Sequence, residues 1–285
     1  MIRTEPGAGA DLRPTAGAAA SVIRGTGSQR RGLSRGTSDR LMGLAAPLGL
    51  FLAWEIAARV HAIDTRFFPA PSSIAGTFVR LMQNGRLEFD AWASLQRLFW
   101  GFLLGALPGL AIGLAMGVYR PVRKLVEPLI LGTYPIPKSA ILPLILLIFG
   151  LGEASKVVMV AIGVFYPVVI NTAAGVMQIP KIYFDVGRNF GAGRWAMFRT
   201  IALPGALPFI MTGIKLGAGM GLILIAIAEM IGAQSGLGYM IWNAWQILAV
   251  NAMYVGLIVI ALVGFALTLA FNEIEHRLLP WRQDH

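Results

Sequence analysis

Residues 94–117 read SLQRLFWGFLLGALPGLAIGLAMG, and the run Leu98–Tyr119 holds 22 residues without a charge. About 20 mainly apolar residues carry a helix across ~30 Å of hydrocarbon, so this stretch predicts a membrane-crossing helix. Gly101, Gly105, Gly109, Gly113 and Gly117 recur every four positions. That spacing lines one helix face with glycine, where a second helix can approach closely. Glycine ladders of this kind are packing devices far more often than ligand contacts.

Five further runs share this character: Leu41–Ala58 with Glu55 alone, Pro128–Gly150 with Lys138 alone, Val157–Pro180 with no charge, Phe209–Gly232 with Lys215 and Glu229, and Ala252–Asn272 with none. The whole composition agrees, with 56% hydrophobic and 13% charged residues among 285. The charged share is about half that of a soluble domain, too little polar surface to cover so much apolar mass. The expected fold is an all-α integral membrane protein, with spans near 41–58, 98–119, 128–150, 157–177, 209–232 and 252–272. There are no cysteines, and His61, His276 and His285 lie far apart. Disulfides, thiolate chemistry and a His-rich metal site are therefore not expected.

Residues 1–40 differ from the rest. Seven arginines sit among Gly, Ala, Ser and Thr with no aromatic residue, a composition that cannot bury enough apolar surface to offset ordering entropy. It reads as a disordered basic tail, cytoplasmic in the first reading and a cleaved presequence in the second. With residue 1 cytoplasmic, sixteen basic residues fall inside and six outside, so the positive-inside rule favours both termini in the cytoplasm. The net charge of +10 thus reflects topology and not a nucleic-acid partner. The weak point is the first outer loop, with Arg59, Arg66, Arg80, Arg86 and Arg97; the sixth outer residue, in the second outer loop, is Lys156. Within that loop, Pro71-Ser72-Ser73 precedes Ile74, Phe78, Leu81 and Met82, helical spacing behind an N-cap and thus a short amphipathic helix.

The third run contains Tyr134-Pro135-Ile136-Pro137-Lys138 and then Pro143. A proline removes a backbone donor and clashes with the preceding turn, so this helix must bend or break, and the freed carbonyls must face protein or water. Pro108, Pro167 and Pro208 interrupt other runs. Lys138, Lys215 and Glu229 lie deepest in apolar sequence. Intramembrane charge is a functional candidate by default, but each lies within reach of a helix end or break where a long side chain can snorkel. Pro135, Pro137, Lys138 and Glu229 are the candidates for a transport pathway.

Residues 178–208, QIPKIYFDVGRNFGAGRWAMFRTIALPGALP, form the longest inner loop. Ile182, Val186 and Phe190, then Trp195, Phe198 and Ile201, mark two short amphipathic segments hinged at Gly191–Gly193. Leu203-Pro204 is expected to stop the second segment. A short apolar-faced helix below a membrane bundle needs a partner to cover it.

Gly191 followed by nine residues, Ile201, one residue, Leu203 and Pro204 resembles the signature loop of the permease subunits of bacterial ATP-binding-cassette importers, EAA-x3-G-x9-I-x-LP. FFPAPSSI (67–74), SLQRLFWGFLLGALPGLAIGLAMG (94–117), YPIPKSAILPLILLIFGLGEASK (134–156), GAGRWAMFRTIALPGALP (191–208) and AEMIGAQSGLGYMIWNA (228–244) extend the likeness, which points to the nitrate, sulfonate and taurine branch. Asp185-Val186-Gly187 departs from the family's Glu-Ala-Ala.

The resemblance implies a type I importer permease fold in a bacterial inner membrane. It implies a coupling helix built on Asp185, Val186, Gly187, Gly191, Ala192, Ile201, Leu203 and Pro204. Expected partners are an ATPase subunit, a periplasmic or lipid-anchored binding protein, a second copy of the chain and membrane lipid. ATP and magnesium would belong to the ATPase, since this chain has no GxxxxGK[ST] loop to cradle phosphates and no cofactor is expected in it. The chain itself is then not an enzyme. The expected cargo is a small anion, an aliphatic sulfonate, taurine or nitrate. The alternatives are an ion-coupled secondary transporter, for which Glu229 is a thin basis, and an intramembrane enzyme, for which paired acids are lacking.

Overall fold

A computed structural model describes residues 35–280, with side chains from Ala45 onward. Eleven α-helices are seen among the described residues: α1 (Arg35–Arg59), α2 (Pro71–Gln83), α3 (Arg86–Val118), α4 (Arg120–Thr133), α5 (Leu142–Phe149), α6 (Glu153–Met177), α7 (Lys181–Asn189), α8 (Arg194–Met197), α9 (Leu203–Gly232), α10 (Leu237–Gln246) and α11 (Val250–Leu278). A 3₁₀ turn at Lys138–Ile141 precedes α5, and a π turn at Phe198–Ala202 joins α8 to α9. The chain divides into the units Met1–Leu50 and Phe51–His285, and the packed helices α2–α11 all belong to the second. The helix α1 begins at Arg35, six residues inside the stretch expected to be disordered. The rest of that tail lies outside the described residues.

The core is α3, α6 and α9. A Cβ added at Gly101 would lie 2.5 Å from Val160 Cβ, one at Gly113 2.7 Å from Thr172 Cβ, and one at Gly109 3.1 Å from Val168 Cβ. Gly105 meets Val164, and Gly117 meets Val176, in the same way. Glycine and partner advance together, so α3 and α6 run parallel with their backbones pressed close. A second ladder, Gly213, Gly217 and Gly221 of α9, closes on the other side of α6 at Asn171, Val164, Val168 and Val160. Val160, Val164 and Val168 are completely buried between the two. The second ladder repeats the four-residue spacing of the first, so the sequence carries the same signal for both.

Parallel helices with matching ends require the chain to return between them. The α4–α5 pair, bent by 87°, makes that return and is one broken crossing, as the prolines predict. Ile130 of α4 packs with Val169 and Ala173 in the half of α6 toward Met177, and Thr133 meets Tyr166 near the middle of α6. Leu142 and Ile145 pack with Met159, Leu224 and Ala228 in the other half. The break therefore lies at mid-depth of the bundle. With it, five of the six expected crossings are present among the described residues; the remaining run, 41–58, falls within α1.

Three expectations need correction. Pro108, Pro167 and Pro208 do not interrupt anything: each lies inside a continuous helix, because the close packing of α3 and α9 on α6 holds each helix through the missing hydrogen bond. Leu203-Pro204 does not stop a helix but opens α9. The π turn just before it takes one residue more per ring, which relieves the clash of the proline ring with the carbonyl four residues earlier. Ser72 does not cap its own helix. The helix α2 forms as expected, and Ile74, Phe78 and Leu81 pack inward with Leu87 and Val255. Its N-terminus is instead held by Glu55, which accepts from the Ser72 amide at 3.0 Å and the Ser72 hydroxyl at 2.8 Å.

Candidate functional site

The segment between α6 and α9 lies at one end of the core. The helix α7 ends in a Schellman motif: Ala192 N–H donates to Gly187 O at 2.9 Å and Gly191 N–H to Arg188 O at 2.9 Å, with Gly191 at φ 72°. A side chain at that φ is strained, which is why glycine stands there. Gly187 brings α7 against the π turn, since a Cβ there would lie 2.9 Å from Ile201 Cδ1. Glycine at this position thus lets Ile201 Cδ1 approach. Ala192 is close by, with its Cβ 4.0 Å from the same added atom. Asp185 pairs with Arg188 at 3.5 Å and is exposed. Val186, Ile182, Phe190 and Trp195 are exposed too, with Phe190 at 88%. Trp195 stacks on Phe198 at 5.5 Å between ring centroids. An apolar, glycine-hinged surface is presented at this end, and the line of α9 starts directly from it at Leu203 and Pro204.

At the break, Pro135 and Pro137 are exposed and Lys138 is half-buried. The Lys138 ammonium donates to the carbonyls of Thr133, Tyr134 and Ile136, each at 3.0 Å, and lies 4.0 Å from the Tyr166 ring centroid. These are carbonyls released where α4 ends, so Lys138 serves as the C-terminal cap of a half-helix inside the bundle. Its partners are neutral. Lys215 binds Asn272 Oδ1 at 2.6 Å and pairs with Glu275, joining α9 to α11.

Glu229 is completely buried at the end of the core opposite α7. It accepts from Ser94 Oγ at 2.7 Å, from Arg97 Nη1 at 2.8 Å and from the Gly238 amide at 3.0 Å. Sequence reasoning placed Arg97 and Lys156 in outer loops. Both are instead buried within helices, Arg97 at 4% exposure and Lys156 at 2%. Arg97 donates to Glu153 at 2.5 and 2.8 Å, and Lys156 caps the carbonyls of Leu151 and Gly152 at 2.6 and 2.9 Å. The first outer loop therefore loses one of its five troublesome charges. The signal for Arg97 was present in its position three residues after Ser94 on the face that precedes the glycine ladder.

Residues 108–280 match the family of binding-protein-dependent transport system inner membrane components. The chain belongs to this family. The taurine transport system permease protein TauC of Escherichia coli is 33% identical over 81% of this chain and 86% of its own length. The nitrate import permease protein NrtB of Leptolyngbya laminosa is 32% identical over 67% of this chain and 68% of its own. An inward-facing structure of the MetNI methionine ABC transporter is similar in fold, with a TM-score of 0.60 over 69% of this chain and 97% of the matched chain at 19% identity. Membership makes the chain a multi-pass membrane permease.

Proposed function

We propose that the chain is the membrane-embedded subunit of an ATP-driven importer for a small anion of the aliphatic sulfonate class, taurine included, or nitrate. Two copies enclose the pathway, a periplasmic or lipid-anchored binding protein delivers the anion, and a separate ATPase with its magnesium supplies the energy by seating α7–α8 in a cleft. Both termini are then cytoplasmic, and movement of the seated segment along α9 switches the bundle between inward- and outward-open states. The observation that carries this reading is the exposed, glycine-hinged pair of short helices continuous with α9, in a chain whose relatives include taurine and nitrate permeases.

Gly191→Val is expected to abolish co-purification of the ATPase and ATP-driven uptake, because a β-branched residue at φ 72° cannot hold the Schellman turn that aims α7. Unchanged uptake in this variant would sink the reading.

For the cargo, the broken crossing is the proposed contact. An ammonium at mid-depth with neutral partners leaves a positive potential beside the exposed Pro135 and Pro137. Losing a charge-assisted contact worth about 1.5 kcal/mol lowers uptake at sub-saturating substrate roughly tenfold, so Lys138→Ala should depress uptake of labelled taurine or nitrate by that factor. Equal uptake removes Lys138 from the pathway.

A further inference from the structure

The end of the core opposite α7 carries a polar knot to which the transport mechanism proposed for this chain gives no role. One guanidinium, Arg97 of α3, binds Glu153 of α6 through Nε and Nη2, Glu229 of α9 through Nη1, and the loop after α9 at Ser235 O (2.7 Å) and Ser235 Oγ (2.9 Å). Three successive amides that open α10 are taken by side chains of other helices. Gly236 N–H donates to Asp90 at 2.8 Å, Leu237 N–H to Ser94 Oγ at 2.8 Å, and Gly238 N–H to Glu229 at 3.0 Å. An N-terminus is ordinarily capped from its own chain neighbourhood; here α3 and α9 do it, which fastens α10 to the core as one body.

The mechanical context gives this a consequence. One helical line of 39 residues runs from Arg194 to Gly232, so Glu229 stands on the rod that begins at the hinged segment. The two glycine ladders leave α3 and α6 no room to slide independently. A displacement applied at α8 therefore reaches α10 through Glu229 and Arg97. We propose that Arg97 and Glu229 are positioning residues that latch α10 to this rod, so that α10 moves when the ATPase acts at the other end. The proposal rests on the reading of 178–208 as the ATPase-contacting segment.

The chain has no cysteine, so one introduced thiol reports a single position. Gln246→Cys, exposed at the end of α10, is labelled with a membrane-impermeant maleimide in the complex reconstituted with its ATPase, with and without ATP and vanadate. The background variant is Arg97→Gln/Glu229→Gln, which removes both charges of the buried pair together; the carboxylate of Glu153, the other partner of Arg97, is exposed to solvent. In the wild-type background the labelling rate is expected to change by about fivefold or more on trapping. In the double variant that response should be reduced while ATP hydrolysis persists, Asp90 and Ser94 still holding the Gly236 and Leu237 amides. A response undiminished in the double variant, or absent from the wild-type background, overturns the latch. A wild-type chain that co-purifies with no ATPase overturns the underlying reading instead.

Discussion

Three carbonyl oxygens converge on the Lys138 ammonium, and the aromatic face of Tyr166 covers it. The arrangement answers the problem that Pro135 and Pro137 create, since carbonyls released in an apolar environment cost several kcal/mol each unless satisfied. Burial of the positive end is tolerated because the half-helix C-terminus is its counter-charge. The same logic governs Gly236 at the end of the core opposite α7. Its φ of 114° is closed to side chains, and a Cβ there would run into the Glu229 carboxylate. Gly236→Ala is expected to displace Glu229 from the Gly238 amide and lower stability by about 1–3 kcal/mol. Thermal unfolding in detergent measures it, and an unshifted midpoint would show that the knot adjusts freely.

Among the elements, α6 decides the packing. Its valines fill two glycine grooves at once, so its β-branched, rotamer-restricted side chains serve as fixed teeth. Apolar side chains gain nothing by leaving lipid, and close backbone approach is what holds such helices together. The depth of each groove ranks the cost of filling it. Gly101→Ala and Gly113→Ala place a methyl 2.5 and 2.7 Å from Val160 Cβ and Thr172 Cβ, whereas Gly109→Ala places it 3.1 Å from its nearest neighbours. The first two should cost about 1–3 kcal/mol by overpacking and the third clearly less. Unfolding midpoints of the three single variants test the order; equal losses would mean that the helices separate as a unit. The 3.6-residue period made these faces visible in the sequence, down to the spacing of the ladder. It also made α2 visible, though not that Glu55 would cap it.

At the scale of the unit Phe51–His285, the parallel pairing of α3 and α6 is the topological fact that dictates the other placements. It requires the bent α4–α5 pair to be a full crossing, sets the break at mid-depth, and puts the hinged α7–α8 segment and the polar knot at opposite ends. A stimulus at one end and a latched helix at the other, joined by α9, suit a protein whose work is movement. The run of apolar segments, the glycine ladder, the proline break and the Gly191 hinge were each contained within windows of a few turns, where periodicity and backbone sterics act. The sequence by itself therefore determined the all-helical membrane class, the place of the break and the family. Only the tertiary structure decided that Arg97 and Lys156 leave the loops for the interior, that Glu229 faces Ser94 and Arg97 instead of standing open, and that Lys138 is a cap. The reason is physical. The cost of a charge inside the bundle depends on its partner, and Arg97 and Glu229 meet across 132 positions of chain, a pairing set by how helices stack and invisible to any local pattern.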